Sequence, residues 1–240
     1  MTARVLLVDD DASIRRFVAL ALEELEVELV EAANVPQARE QLAAGRFALV
    51  ITDLMMPGET GLDLLQHLAD HPEQRGAARL AVFSAGLNAA MQARLGEFDV
   101  WRQLGKPIAL TELEQCVRDA IGAAAPPPAA TVAAAELDGL SAAEQATVER
   151  HFAGDRALFL AYRASCVAQF ANDLRQGDDA FARADAPALR RLAHSLKSVL
   201  LTLGQPEASE RARQLEDAGA RADWEAARPL WQALRAQLAA

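Results

Sequence analysis

The sequence predicts an open α/β domain on a five-stranded parallel sheet, followed by an all-helical bundle. Three observations carry that reading. Over about the first 120 residues, short apolar runs of strand formers alternate five times with helix-spaced segments. That is the pattern of βα units with right-handed crossovers and a sheet covered on both faces. Between residues 123 and 138 the composition turns to Ala and Pro, with Pro126-Pro127-Pro128 in the middle. No core can be built there, so the segment reads as a linker with locally extended polyproline geometry. At roughly 3.1 Å per residue it spans at most ~50 Å, which permits the two halves to meet without requiring it. From Ser141 onward the spacing is helical, with short breaks, as in an antiparallel bundle.

Residues 4–8 form the first predicted strand, ending at Asp9-Asp10-Asp11, with Asp11 a plausible N-cap. Ile14, Phe17, Val18, Ala21, Leu22 and Leu25 then recur at helical spacing. Residues 27–30 are a second strand. Asn34 is a plausible cap for a helix through Ala44, and Gly45 ends it. Residues 48–52 are an apolar run that stops abruptly on Asp53, with Pro57, Gly58 and Gly61 supplying turn chemistry just beyond. A helix over 61–69, a strand over 80–83 ending at Ser84, and a short helix over 88–95 follow. A weak strand over 100–104 leads to Gly105-Lys106-Pro107, and an amphipathic helix over 110–121 closes the first half. In the second half the spacing predicts helices near 141–153, 155–176, 185–203, 207–221 and 223–238. Ser141 and Glu144 stand at capping-box spacing, and one break is placed at Gly177.

The 240 residues fit two ordinary domains. A net charge of -10 argues against a nucleic-acid surface, which needs a basic patch. Cys116 and Cys166 stand apart and form no CxxC pair, so neither a disulfide framework nor a zinc site is expected. No basic-then-apolar leader and no charge-free span of membrane length is evident, so the expectation is a cytoplasmic protein without membrane insertion.

If the sheet is parallel, Asp9, Asp10, Asp53, Ser84 and Lys106 all fall on its carboxyl edge, where open α/β sheets bind ligands. Clustered carboxylates repel, by about 4 kcal/mol per pair at ~4 Å and an effective dielectric near 20. Such a cluster persists with a cation, with protonation, or at the expense of stability. Oxygen-only ligands suit Mg2+, and a lysine and a hydroxyl beside them suit an incoming phosphoryl group. The implied chemistry is carboxylate attack on phosphorus, giving an acyl phosphate.

These residues resemble a known family. Val5-Leu6-Leu7-Val8-Asp9-Asp10-Asp11, Asp53 with Met56-Pro57-Gly58, Phe83-Ser84-Ala85 and Lys106-Pro107 look like the receiver domain of two-component response regulators over residues 1–122. The resemblance implies a flavodoxin-like fold, with Asp53 as phosphoacceptor and Asp9, Asp10 and Asp53 holding Mg2+. It also implies that Ser84 senses the phosphoryl group and that Lys106 pairs with it. Two positions depart from the family pattern. Gln103 occupies the place of the usual aromatic switch, and Trp101, two residues away, reads as core or edge packing. Met55, two residues after the acceptor, replaces a polar residue that helps orient hydrolytic water, so a slowly hydrolysing phospho-Asp53 is expected.

In the second half, Leu189, Leu192, Ala193, Leu196, Val199, Leu200 and Leu203 make one apolar stripe. His194, Lys197, Ser198 and Leu201 lie on the other side, so the histidine is predicted exposed, with Leu201 an exposed apolar contact. The run His194-Ser195-Leu196-Lys197-Ser198, with Gly204 ten residues after the histidine, resembles the histidine phosphotransfer (HPt) domain over residues 139–240. Ser198 stands where that family usually has Gly. The resemblance implies that His194 exchanges phosphoryl groups with receiver aspartates, supported by Lys197 and Ser198. The other histidines read as helix-end residues.

Together these expectations describe a phosphorelay protein with no ATP-binding kinase domain. Its partners would be a sensor or hybrid histidine kinase and other receiver domains. Two further readings stay open. In a haloacid-dehalogenase-type phosphatase, Asp9-x-Asp11 would supply the nucleophile, so Asp9 and Asp53 variants separate the two. In a receiver-controlled helical adaptor His194 is inert, and His194→Gln would leave signalling intact.

Overall fold

In a computed structural model of the chain, residues 2–85, 89–122 and 139–239 are described. The predicted linker over 123–138 lies outside them, as does Asn88. The chain divides into two compact units, at a boundary between residues 131 and 132.

The first unit is a five-stranded parallel sheet of order β2-β1-β3-β4-β5. The strands are β1 (Ala3–Val8), β2 (Val27–Ala32), β3 (Leu49–Thr52), β4 (Arg79–Ser84) and β5 (Arg102–Gly105). The helices are α1 (Ala12–Ala21), α2 (Val35–Ala44), α3 (Gly61–Asp70), α4 (Pro72–Arg75), α5 (Ala89–Leu95) and α6 (Leu110–Ile121). The four residues of β3 are buried, as expected for a parallel strand covered on both faces. Val8 pairs with Thr52, Thr52 with Val82, and Ser84 with Gly105, so the strands end together along one edge. The caps follow the sequence. Asp11 accepts from the Ser13 and Ile14 amides at the start of α1, and Asn34 accepts from Gln37 at the start of α2. The sequence pattern does not predict the short helix α4.

The second unit contains α7 (Ala142–His151), α8 (Arg156–Arg183), α9 (Ala186–Thr202), α10 (Pro206–Ala220) and α11 (Trp224–Leu238). The Ser141–Glu144 capping box is formed at α7. One expectation is corrected: the predicted break at Gly177 does not occur, and α8 runs through it to Arg183. Gly177 is buried and lies directly against the Trp231 ring of α11, where any Cβ would collide with the indole. The glycine admits an aromatic side chain from a neighbouring helix instead of ending its own. Trp231 is fixed there by donating from Nε1 to Asp178 Oδ1 at 3.0 Å, and Phe181 packs against both Trp231 and Trp224. Gly177→Ala is expected to destabilise the bundle by about 1–3 kcal/mol through overpacking, despite alanine's better helix propensity. Denaturant unfolding monitored by tryptophan fluorescence tests this, since Trp224 and Trp231 both belong to the affected cluster.

Candidate functional site

The first cluster sits at the carboxyl ends of β1, β3, β4 and β5. Lys106, just beyond β5, donates from Nζ to Asp9 Oδ2 at 2.5 Å and to Asp53 Oδ2 at 2.9 Å. The three side chains are nearly buried, at 4%, 1% and 5% exposed respectively. The remaining oxygens are held by backbone. Asp53 Oδ1 accepts from the Leu54 and Met55 amides at 2.6 and 3.2 Å, and Asp9 Oδ1 accepts from the Asp11 amide at 2.9 Å. Ser84 ends β4, is buried, and its carbonyl accepts from the Lys106 amide at 3.2 Å. Gly61 makes the loop after β3 possible, because a Cβ there would strike the Asp53 carbonyl and Leu54 Cα.

Burial pushes the Asp9 carboxyl up, the Lys106 ammonium pulls it down, and the charges of Asp53 and Asp11 raise it again, leaving it at about 8. Asp10 opens toward solvent at the rim. Its carboxyl is nonetheless raised to about 6, first by partial loss of hydration and then by the Asp53 charge. Burial lowers the Lys106 ammonium, but Asp53 and Asp9 outweigh it and hold the lysine protonated. Carboxylate oxygens of Asp9, Asp10 and Asp53 lie within 4.8 Å of one another, the one such group of potential metal ligands among the described residues. An all-oxygen, partly open set fits a hard divalent cation, and the raised carboxyls are those a bound cation would return to their charged form.

The second cluster is on α9. His194 Nδ1 lies 2.7 Å from Glu216 Oε1 on α10, and Lys197 Nζ donates to Glu216 Oε2 at 2.5 Å. Burial raises the Glu216 carboxyl, but the hydrogen bonds and charges of His194 and Lys197 outweigh it and hold it at about 2. The other imidazole nitrogen, Nε2, is buried with no hydrogen-bond partner among the described residues.

Here the sequence expectation is corrected. His194 is 5% and Ser198 4% exposed, and Leu201 is half-buried. A wheel with one buried stripe assumes one packing partner, whereas α9 packs against both α8 and α10. His194, Ser198 and Thr202 are buried on α9, and the small residues Ala208, Ser209 and Ala212 are buried on α10. Gly219 lets α10 approach the α9 backbone at Arg190, and Ser209 Oγ donates to the Lys197 carbonyl at 2.8 Å.

Sequence reasoning gives Glu216 no role, because it is separated from His194 by 22 residues. The available signal is the turn at Gly204-Gln205-Pro206: in an antiparallel helix pair, residues equidistant from the turn face each other, and His194 and Glu216 are equidistant from Gln205. Arg15, whose contacts reach Asp9, likewise carries no sequence signal of its own. Trp101 is edge packing, as expected, with the guanidinium groups of Arg79 and Arg102 over its ring at 4.5 and 4.4 Å. Gln103 is exposed. His67 and His71 stack on each other at the end of α3, with ring centroids 4.2 Å apart. None of the described helices is long and apolar enough to cross a membrane.

Comparison with known proteins fits this division. Residues 5–118 match the family described as the response regulator receiver domain, and residues 158–240 match the Hpt domain family. The chain carries a receiver domain and an Hpt domain. Both are domains of two-component phosphorelay signalling. The chain is 34% identical over 119 residues to the response regulator protein PilR of Pseudomonas aeruginosa, covering 49% of this chain and 26% of that protein. The DNA-binding transcriptional regulator NtrC of Azospirillum brasilense is 33% identical over 136 residues, covering 57% of this chain and 28% of that protein. The chain therefore spans little more than a quarter of the length of either relative. Among solved structures, the chemotaxis protein CheY4 of Vibrio cholerae aligns with TM-score 0.47 at 23% identity, covering 50% of this chain and 99% of that one.

Proposed function

We propose that the chain is a two-site phosphorelay component, in which Asp53 of the receiver and His194 of the Hpt domain each carry a phosphoryl group in turn. The receiver spans residues 1–122, the linker 123–138 and the Hpt domain 139–240. The observation that carries the reading is that Lys106 bridges Asp9 and Asp53 in one unit while His194 Nδ1 lies against Glu216 in the other. The partners would be a sensor or hybrid histidine kinase as donor and other receiver domains, in the cytoplasm.

At the receiver, Asp9, Asp10 and Asp53 would hold Mg2+, which supplies charge neutralisation for the transferring phosphoryl oxygens. A carboxylate oxygen of Asp53 attacks phosphorus of a phosphohistidine donor. A P–O bond forms, the donor's P–N bond breaks, and the imidazole leaves neutral, its other ring nitrogen already carrying a proton. The Leu54 and Met55 amides orient the carboxylate for attack. Lys106 is already charged and already at Asp53, so it passes to the phosphoryl oxygens without reorganising its position. Ser84, at the adjacent strand end, supplies a hydroxyl to a phosphoryl oxygen.

At the Hpt domain Glu216 is an acceptor beside Nδ1, so it would accept a hydrogen bond from an Nδ1–H of His194 and leave Nε2 as the attacking nitrogen. That nitrogen attacks the acyl phosphate of a receiver. A P–N bond forms and the carboxylate leaves. Glu216 stabilises the cationic imidazole as it develops, and Lys197 offsets the incoming phosphoryl charge. Nε2 is buried, and Ser198, one helical turn along α9, carries a side chain where the Hpt family usually has none. Ser198→Gly is expected to speed phosphotransfer to His194 several-fold, measured as the initial rate of label transfer from a phosphorylated receiver.

The phosphatase reading is disfavoured because Asp11, its second carboxylate, is committed to capping α1. The decisive experiment loads the protein with a small phosphodonor and Mg2+, then with a phosphorylated receiver. Wild type is compared with Asp53→Ala and His194→Gln, separating acyl phosphate from phosphohistidine by acid and base stability. Label on Asp53 from the small donor and on His194 from a receiver is the expected result. Label on Asp53 alone, under conditions where a control Hpt domain works, would leave an adaptor. Met55 offers no polar group to a hydrolytic water, so phospho-Asp53 is expected to persist for minutes or longer with Mg2+ present. A half-life of seconds counts against that assignment.

A further inference from the structure

We propose that Arg15 is the positioning residue of the acidic edge: it sets the direction of the Asp10 carboxylate by clamping the peptide that precedes it. This rests on the reading of Asp9, Asp10 and Asp53 as a divalent-cation site.

The three carboxylates are not held alike. Asp53 and Asp9 are fixed on both oxygens by Lys106 and by backbone amides. The Asp10 side chain makes no hydrogen bond to another of the described residues and lies at the open rim. Its own backbone therefore decides where its carboxylate points. That backbone follows directly from the Asp9–Asp10 peptide plane, whose carbonyl accepts from Arg15 Nη1 at 2.7 Å. Arg15 is anchored in turn. Its amide donates to the Asp11 carbonyl at 3.0 Å in the first turn of α1, and its Nε meets Glu31 Oε2 of β2 at 3.3 Å. The Arg15 side chain is 18% exposed. On the other side of the same residue the Asp9 amide donates to the Ala32 carbonyl at 3.1 Å, again at the end of β2. The loop from Asp9 to Asp11 is thus tied to the edge strand by one direct bond and one through a guanidinium fork. The fork geometry matters, since one planar group donates to a carbonyl and a carboxylate at once.

Electrostatics alone and positioning give opposite signs. Arg15 is a cation near a proposed cation site, so removing its charge should strengthen Mg2+ binding if charge is all that counts. If Arg15 positions Asp10, its removal releases a ligand and weakens binding.

The test is a Mg2+ titration of the 15N-labelled full chain, following the Leu54 and Met55 amides that donate to Asp53. Arg15→Ala is expected to weaken Mg2+ binding about 5- to 20-fold. Arg15→Lys keeps the charge without the fork and should fall between it and wild type. Arg15→Lys, which leaves the charge unchanged and removes only the fork, decides the matter if Arg15→Ala does not fold. Unchanged or tighter binding in a folded Arg15→Ala protein, or unchanged binding in Arg15→Lys when it alone is measurable, overturns the positioning role. Failure of wild type to respond to Mg2+, with Asp10→Asn indistinguishable from it, overturns the cation site itself and the proposal with it.

Discussion

Lys106→Ala is expected to destabilise the receiver by about 3 kcal/mol in the absence of divalent cation, more at about pH 9 than at about pH 6. The lysine is the one cation that contacts both Asp9 and Asp53 among the described residues, and all three side chains are nearly dry. Removing one partner of a buried ion pair leaves uncompensated charge, which costs far more than the intact pair contributes. The sign of the pH dependence follows from Asp9. Its carboxyl is raised to about 8 in the folded protein against an ordinary value of 3.8. The native state thus binds the proton more tightly than the unfolded chain does. Stability falls as pH rises from about 4 toward about 8. Without the lysine the carboxyl rises further, so the two proteins lose stability in parallel up to about pH 8, and the deficit widens above it, where only the wild-type carboxyl has given up its proton to pair with the lysine. Millimolar Mg2+ should restore part of the loss by supplying the missing positive charge. Native-state hydrogen exchange of the β1 and β3 amides, with chelator or Mg2+, measures this. Equal loss at both pH values would show that Lys106 contributes packing and not charge.

Glu216→Ala is expected to slow phosphoryl transfer to His194 by about 10- to 100-fold, up to the lower end of the range for general acid–base assistance. Two consequences combine. The Nδ1 proton loses its acceptor, so the nucleophilic lone pair is no longer confined to Nε2, and the developing imidazolium loses its counter-ion. Lys197 loses its anchor as well. Glu216→Gln keeps an acceptor oxygen but not the charge and should retain more activity than alanine. Stability gives an independent check. The folded carboxyl lies at about 2, below its ordinary value of 4.5. Its contribution is therefore fully present above the unfolded value and is lost as pH falls through about 4 toward 2. The difference in Tm between wild type and Glu216→Gln should shrink over that interval. A constant difference would exclude a charged Glu216 as its source.

The receiver edge is legible in the sequence because its parts are local. Each carboxylate, hydroxyl or lysine follows its own apolar run, and parallel pairing brings run ends together without further information. The Hpt site is legible only by half. Helical spacing finds one face of α9, but α9 also packs against α10. The residues α10 buries include the small Ala208, Ser209 and Ala212, which give no hydrophobic signal strong enough to announce a contact. Gly177 misleads for a related reason, since its function is to receive the Trp231 ring from 54 positions later in the chain, which no local pattern encodes.

The equidistance of His194 and Glu216 from Gln205 makes the short turn between α9 and α10 a phasing element. Helical residues advance by about 100° each. One residue added after Gly204 would therefore shift α10 along α9 or rotate it, carrying the carboxylate to another side of the bundle while leaving the helix and its composition intact. Surface turns ordinarily accept such changes. Here the length of the connection from Thr202 to Pro206 sets which side chain of α10 stands beside the imidazole. An insertion far from any reacting atom would silence the chemistry without unfolding the protein.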